Sequence, residues 1–324
     1  MSSNKSELIY KLKGIAILSV VCAHCGNRVS YTSLDLFLND VRNNIATIGV
    51  PLFFVISGYL MKNGTPYLEF WKHKWNTTIV PWLFWGIIVW IYEVIRKGLG
   101  YADLLEWLWG IGTYLWFMRT IALFWAILYF LRNRKQKFFV FFLSVIVRVC
   151  LYDIFNIKID NVVLTDFILN LPFFSFGMWM KEAEISKNMK QDSVIIKILA
   201  GFFIIVALLK NQHNITYASP LFLIYIVGCA IIIITLEKKI HNSFINNKLV
   251  IWGKYSYFIY LIHMPLAGIV SNLFSRNSAL LYLVFLQPVL VLLATEYIIK
   301  ILERICNRYQ SFSFVLGRNR TKID

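Results

Sequence analysis

The first apolar segment of the chain carries a lysine and a histidine, Lys13 and His24, eleven residues apart. On an α-helix, with ~100° of rotation and ~1.5 Å of rise per residue, eleven steps return to nearly the same face about 16 Å along the axis. A cation near one membrane surface and an imidazole nearer the other would then line one side of a helix, where the imidazole suits general-base chemistry. The alternative is that Lys13 snorkels to the membrane surface and that His24 caps the helix.

Hydroxyl and imidazole side chains recur in two later apolar segments. The segment Gly49–Leu60 combines proline and glycine with Ser57, a candidate hydrogen-bond donor into a cavity, although small residues in such a helix also serve packing alone. Farther along, Ser256, Tyr260 and His263 recur at helical spacing. They form one polar stripe, which predicts that Tyr260 and His263 line a substrate cavity.

Basic side chains alternate with aromatic rings in two places. The segment 70–75 contains Lys72 and Lys74 among aromatic residues, and Trp116 and Arg119 lie near the start of another apolar segment. Such groups suit an anionic, ring-bearing ligand such as a nucleotide-containing cofactor. They suit anionic lipid headgroups equally well.

The elements that must position these side chains are membrane-spanning helices. Of the 324 residues, 58% are hydrophobic and 15% are charged, and the mean hydropathy is +0.62. A helix needs ~20 mainly apolar residues to cross the ~30 Å hydrocarbon layer. The chain supplies about ten such segments, at 12–27, 45–61, 79–95, 114–131, 138–154, 163–180, 193–209, 218–235, 251–271 and 279–302. We therefore expect an all-α, polytopic membrane helix bundle.

The distribution of charge predicts the orientation of this bundle. The net charge is +16, and 24 of the 33 Lys and Arg residues fall in the segments that are inside if the N-terminus is cytoplasmic. The positive-inside rule therefore predicts cytoplasmic termini at both ends, which agrees with an even number of spans. Residues 1–310 are expected to form one integral membrane domain, followed by a short basic tail at 311–324. The basic residues lie in short clusters between apolar segments, so they do not indicate a nucleic-acid surface.

The five cysteines do not predict a disulfide framework, because their number is odd and they are scattered. Cys22 and Cys25 have the CxxC spacing of a redox pair or of half a metal site. No second Cys/His pair with ligand spacing accompanies them, so no metal site is expected.

Taken in order, the segments resemble the acyltransferase-3 family of bacterial membrane O-acyltransferases, which modify surface polysaccharides and related envelope glycans. The first carrier is Lys13 with His24, which corresponds to a basic residue, ten intervening positions and a histidine in the family; the family usually has arginine at the first position. The other carriers follow in chain order: 49–60, Leu115-Trp116-Phe117, Phe174-Ser175-Phe176-Gly177-Met178 and 255–265.

The resemblance implies transfer of an acetyl group from cytoplasmic acetyl-CoA, a donor substrate rather than a permanently bound cofactor, to a sugar hydroxyl. His24 would be the general base, and Lys13 or Ser57 would stabilise the oxyanion. Contacts with the cofactor would come from Lys72, Lys74, Trp116 and Arg119. The implied partners are acetyl-CoA, a glycan or lipid-linked glycan acceptor and membrane lipids, in the plasma membrane of a bacterium.

Two other functions fit the same features. A transporter or flippase of an acyl, amino-acid or glycan substrate also uses intramembrane charges and broken helices, although no internal repeat is visible. A catalytically idle partner in an envelope-synthesis complex is the third reading. No extracytoplasmic hydrolase-like domain is visible, so either the membrane domain acts alone or a separate protein completes the transfer.

The predicted orientation can be tested by cysteine accessibility in intact cells. Cysteines introduced at Asn39 and Asn211 should react with a membrane-impermeant thiol reagent, because both positions fall in outer segments. A cysteine at Gln136 should stay unlabelled until the cells are permeabilised. The reverse labelling pattern would contradict the orientation and, with it, a donor site on the cytoplasmic side.

Overall fold

The structure is a computed structural model that describes residues 3–26, 33–62, 64–98, 103–183, 222, 243–275, 283, 285–309 and 314–316. These residues form helices, turns and short connections, and no strand occurs among them. Their α-helices, in chain order, are α1 (Ser3–His24), α2 (Ser33–Ala46), α3 (Gly49–Leu60), α4 (Tyr67–Lys74), α5 (Val80–Lys97), α6 (Leu104–Trp109), α7 (Trp116–Leu128), α8 (Arg134–Val149), α9 (Val162–Ala183), α10 (Ser243–Lys254), α11 (Ser256–Ser275) and α12 (Leu286–Arg308). Two π-helical turns, Trp75–Ile79 and Cys150–Ile154, follow α4 and α8.

The described helices confirm the all-α class and include four stretches long and apolar enough to cross a membrane. These are Val41–Leu60, Tyr67–Arg96, Val162–Lys181 and Ser256–Ser275, and Trp116–Leu128 is a shorter apolar helix. The number of ten spans and the cytoplasmic termini stay predictions. The predicted spans at 193–209 and 218–235 lie, apart from Phe222, outside the described residues.

The chain divides into two compact units. The first comprises residues 1–19, 47–63 and 120–254, and the second comprises 20–46, 64–119 and 255–324. Helices α1 and α7 contribute residues to both units. The predicted division into a domain at 1–310 and a tail at 311–324 remains a prediction.

In the first unit, two glycines allow the backbones of α3 and α9 to touch. A Cβ at Gly58 would lie 2.0 Å from the carbonyl oxygen of Phe174, and a Cβ at Gly177 would lie 2.0 Å from that of Val55. Any larger residue at either position must push the helices apart, because backbone cannot move aside as a flexible side chain can. This crossing fixes the helix turn that carries Ser57.

A second glycine contact joins α1 and α10 beside Lys13. A Cβ at Gly14 would lie 2.2 Å from the carbonyl oxygen of Leu249, and one at Gly253 would lie 1.7 Å from that of Tyr10. The apolar side of the same part of α1 packs against α3 in a cluster of buried residues: Ile9, Leu12, Ala16, Leu52 and Ile56. The backbone at Lys13 is therefore held by two neighbouring helices.

Arg148 supports α9 where Pro172 interrupts it. Proline has no N–H and its ring disturbs the preceding turn, so carbonyl groups there lose part of their helical bonding. The buried Arg148 donates from Nη1 to the carbonyl of Leu169, 2.8 Å away, and its guanidinium lies over the Phe173 ring at 5.4 Å. This buried cation thus has a structural role.

In the second unit, α4 passes into α5 through the π-helical turn that precedes Pro81. The hydroxyl of Tyr257 in α11 donates to the carbonyl of Thr78 in this turn, 2.5 Å away. Helix α6 lies against α5, since the indole of Trp107 donates to the carbonyl of Gly86 at 3.0 Å. Near the C-terminus, the carbonyl of Val315 accepts a 2.9 Å hydrogen bond from Trp85 of α5.

The glycine crossing of α3 and α9 yields a stability prediction. Gly58→Ala and Gly177→Ala should each lower the free energy of unfolding by about 1 to 3 kcal/mol, because the added methyl overlaps a backbone carbonyl. Thermal unfolding of the purified protein in one detergent would measure the loss. Gly268→Ala is the matched control, since a Cβ there meets nothing within 4 Å. Equal losses in all three variants would contradict the crossing.

Candidate active site

The last turn of α1 buries two thiols and exposes an imidazole. Cys22 and Cys25 are one turn apart and are 4% and 3% exposed, whereas His24, between them in sequence, is exposed. Residues three apart share one helix face, so a turn that buries both cysteines directs His24 away from them. The helix thus presents His24 where another molecule can reach it.

The His24 ring rests against a second histidine. Its centroid lies 5.0 Å from that of His263 in α11, with the ring planes tilted by 53°. His263 is fully buried, and its Nδ1 is 2.6 Å from the carbonyl oxygen of Tyr260. Because a carbonyl can only accept, Nδ1 must carry the proton. Nε2 of a neutral His263 is then an acceptor, and it has no hydrogen-bond partner among the described residues.

Tyr114 holds the part of α11 that carries His263. Pro265 lacks an N–H, so the carbonyl of Leu261, four residues earlier, has no helical donor. The Tyr114 hydroxyl donates to this carbonyl at 2.6 Å, and the Tyr260 hydroxyl donates in return to the carbonyl of Tyr114. The Tyr114 ring also meets the His263 ring edge-on, with centroids 5.4 Å apart. Two reciprocal hydrogen bonds therefore position His263.

The predicted polar stripe is thus packed and bonded. Ser256, Tyr260 and His263 are 4%, 5% and 0% exposed. The Tyr260 hydroxyl is occupied by a backbone carbonyl, and Phe117 packs on its ring at 5.4 Å. The role of Tyr260 and His263 as walls of a substrate cavity stays a prediction.

The two candidate cofactor residues at the start of α7 differ in accessibility. Arg119 is 1% exposed and donates from Nη1 to the carbonyl of Trp109, 3.2 Å away. Trp116 is half-buried, and its ring meets that of Phe117. Trp116 is therefore the more accessible of the two.

The two candidate lysines of α4 also differ. Lys72 is exposed and makes no hydrogen bond or ion pair with the described part of the chain. Lys74 is half-buried and lies over the ring of Phe70 at 5.5 Å. Lys72 is thus the cation of this helix that is open to an anionic ligand.

Lys13 and Ser57 belong to the first unit, whereas His24 and the other candidates belong to the second. The side chains of Lys13 and Ser57 are half-buried. Neither forms a hydrogen bond or an ion pair with another described residue. A cation and a hydroxyl in that state can bind a polar ligand without first breaking an existing contact.

The described residues contain no group of three or more His, Cys, Asp or Glu side chains that could hold a metal ion. Cys22, Cys25, Cys150 and Cys306 are free thiols. The fifth cysteine, Cys229, lies outside the described residues.

Comparison with known proteins identifies the family. A family model of the acyltransferase-3 group, described as an acyltransferase domain, matches residues 11–298. The chain belongs to the acyltransferase-3 family. No curated protein and no solved structure matches it. The matched region of this membrane acyltransferase contains every candidate residue from Lys13 to His263.

Several residues around His24 in the acyltransferase were not singled out by sequence reasoning. Tyr114 precedes the family segment at 115–117, and its role emerges only with the position of Pro265. Gln287 accepts a 2.9 Å hydrogen bond from the backbone N–H of Gly26, two residues after His24. A lone amide between apolar neighbours is a signal that could have found Gln287, because such groups inside a span are costly unless bonded.

Proposed function

We propose that this membrane acyltransferase transfers an acetyl group from cytoplasmic acetyl-CoA to a hydroxyl of a cell-envelope or exopolysaccharide sugar. The observation that carries the proposal is the accessible His24 ring packed on the buried, hydrogen-bonded ring of His263. Family membership supports acyl transfer. The acetyl donor, the glycan acceptor and the residue roles belong to the proposal.

In the proposed step, His24 acts as the general base. A sugar hydroxyl is a weak nucleophile at neutral pH, so a positioned imidazole must accept its proton as the oxygen attacks the thioester carbonyl. The carbon–oxygen bond forms first, and the carbon–sulfur bond of the tetrahedral intermediate then breaks. The CoA thiolate leaves and takes the proton back from His24. An accessible ring is required for this role because it must reach both substrates.

Charged and polar groups would serve the negative charges of this reaction. Lys13 or Ser57 would stabilise the oxyanion, and each is free of contacts with other described residues that would have to break first. Lys72, with Lys74, Trp116 and Arg119, would bind the phosphates and the pantetheine arm of acetyl-CoA. The protein would work in the plasma membrane of a bacterium, where lipids and a glycan or lipid-linked glycan are its other partners.

The His24 prediction separates a catalytic imidazole from one that only caps α1. His24→Ala should lower turnover per folded molecule by about 10²- to 10⁴-fold while the affinity for acetyl-CoA is kept. The assay follows acetyl transfer from labelled acetyl-CoA to an envelope-glycan preparation, with both substrates saturating and cofactor affinity measured on the same sample.

The control is His73→Ala, which removes an exposed imidazole of α4 and should leave saturated turnover unchanged. Normal turnover in His24→Ala would remove His24 from the mechanism. Failure of the unmodified protein to release CoA or transfer acetyl would favour a transporter or a catalytically idle partner in an envelope-synthesis complex.

The Lys13 prediction tests whether a cation at that position serves the reaction. Lys13→Arg should keep the charge and retain turnover, whereas Lys13→Met should lose it at an unchanged amount of membrane protein. The matched control is Lys11→Met on the same helix, because Lys11 already pairs with Glu7 at 2.9 Å. That change should cost stability at most. Equal turnover in Lys13→Arg and Lys13→Met would leave snorkelling as the better account of Lys13.

A further inference from the structure

We propose that Gln287 and Arg42 are positioning residues that hold the end of α1, and with it the His24 imidazole, in place for proton transfer. The inference rests on the proposed role of His24 as the base. The His24 ring makes no hydrogen bond with a described residue. Its position therefore depends on the contact with His263 and on the backbone that carries it.

Gln287 holds that backbone from α12. Its Oε1 accepts a 2.9 Å hydrogen bond from the N–H of Gly26 and a 3.3 Å hydrogen bond from the hydroxyl of Ser271. Gln287 is fully buried in the first turn of α12. A buried side-chain amide needs hydrogen-bond partners. This hydrogen bond therefore restrains both the Gln287 side chain and the Gly26 backbone.

Arg42 holds the same turn from α2. Its Nη1 donates to the carbonyl of Cys25, and its Nη2 donates to Oδ1 of Asn43 at 3.0 Å. The last carbonyls of a helix have no intrahelical donor and carry the negative end of the helix dipole. A guanidinium there satisfies one of these carbonyls and compensates the dipole.

Gly26 makes both contacts possible. Its φ of +131° is a backbone conformation that residues with a side chain rarely adopt. A Cβ at Gly26 would also lie 1.1 Å from Nη1 of Arg42. The turn after His24 therefore favours glycine for its backbone angle, and a larger residue there would also have to displace the Arg42 guanidinium.

Together these contacts fix the residues immediately after His24 on two sides. Proton transfer needs the base within hydrogen-bond reach of the reacting hydroxyl, and a displacement of ~1 Å can reduce rates about 100-fold. Loss of the acceptor at Gln287 should therefore lower turnover without removing any group that touches a substrate.

The activity test compares two substitutions at one position. Gln287→Met removes the acceptor at similar size and should reduce turnover at saturation by about 10- to 100-fold, with acetyl-CoA affinity unchanged. Gln287→Glu should restore turnover to within about threefold, because a carboxyl oxygen can accept the same hydrogen bond at similar size. Arg42→Met tests the other arm and replaces Gln287→Met if that variant does not fold.

The matched control is Gln136→Met in the first unit. The Oε1 of Gln136 also accepts from backbone N–H groups, those of Arg132 at 3.0 Å and Asn133 at 3.1 Å. Gln136→Met removes the same kind of contact at the start of α8 but leaves the contacts of the turn after His24 in place. Turnover should therefore stay unchanged.

Hydrogen–deuterium exchange of the full chain gives a readout independent of activity. Peptides that contain Gly26 should exchange faster in Gln287→Met and at the original rate in Gln287→Glu and Gln136→Met. Unchanged exchange in Gln287→Met, or unchanged turnover despite faster exchange, would overturn the inference. His24→Ala in the same assays keeps the two proposals apart: normal turnover there contradicts the base, whereas loss there with normal Gln287→Met turnover contradicts only the positioning role.

Discussion

The carbonyl of Leu261 has no helical donor because Pro265 lacks an N–H, and the hydroxyl of Tyr114 donates the missing hydrogen bond. A backbone group without a partner is especially costly in hydrocarbon, where no water can replace the lost bond. The break in α11 therefore demands a donor from elsewhere in the second unit. That demand brings Tyr114 beside Tyr260 and His263. The position of His263, on which the His24 ring packs, depends on this requirement.

Side-chain hydrogen bonds to backbone carbonyls also occur near two other prolines in the described helices. The Tyr257 hydroxyl donates to the carbonyl of Thr78, three residues before Pro81, and the Arg148 guanidinium donates to the carbonyl of Leu169, three residues before Pro172. In each case, a polar side chain whose type suggests a function is hydrogen-bonded to a backbone carbonyl. Interruptions of membrane helices thus decide which polar groups are structural and which remain available for chemistry.

The basic residues fall into two groups, those that bond to backbone carbonyls and those that remain available to a ligand. Arg148 and Arg119 are buried with backbone carbonyls as acceptors, while Lys13 and Lys72 make no polar contact with the described residues. Arginine suits the first role because its planar fork donates several hydrogen bonds, and lysine suits the second as a mobile point charge. An anionic ligand therefore reaches Lys13 and Lys72 more readily than it reaches the buried arginines.

The sequence by itself determined the class of the protein, its family and the candidate base. Apolar segments of about 20 residues predict membrane-spanning helices. In lipid, a helix satisfies every backbone hydrogen bond within its own segment. The order of motifs from Lys13 to Pro265 identified the acyltransferase-3 family, which the family match confirms. The choice of His24 as the candidate base follows from its residue type and its spacing from Lys13 alone. These features are local in sequence, so local patterns can predict them.

Only the tertiary structure decided which polar groups meet. Nothing in the spacing of Tyr114 predicts that its hydroxyl completes α11, and nothing near Gly26 predicts that Gln287, 261 residues later, accepts its N–H. Likewise, the stripe of Ser256, Tyr260 and His263 was visible as a pattern, but its burial and its bonds were not. Contacts between distant segments depend on helix packing and on where each helix is interrupted. Periodicity within one segment contains neither kind of information.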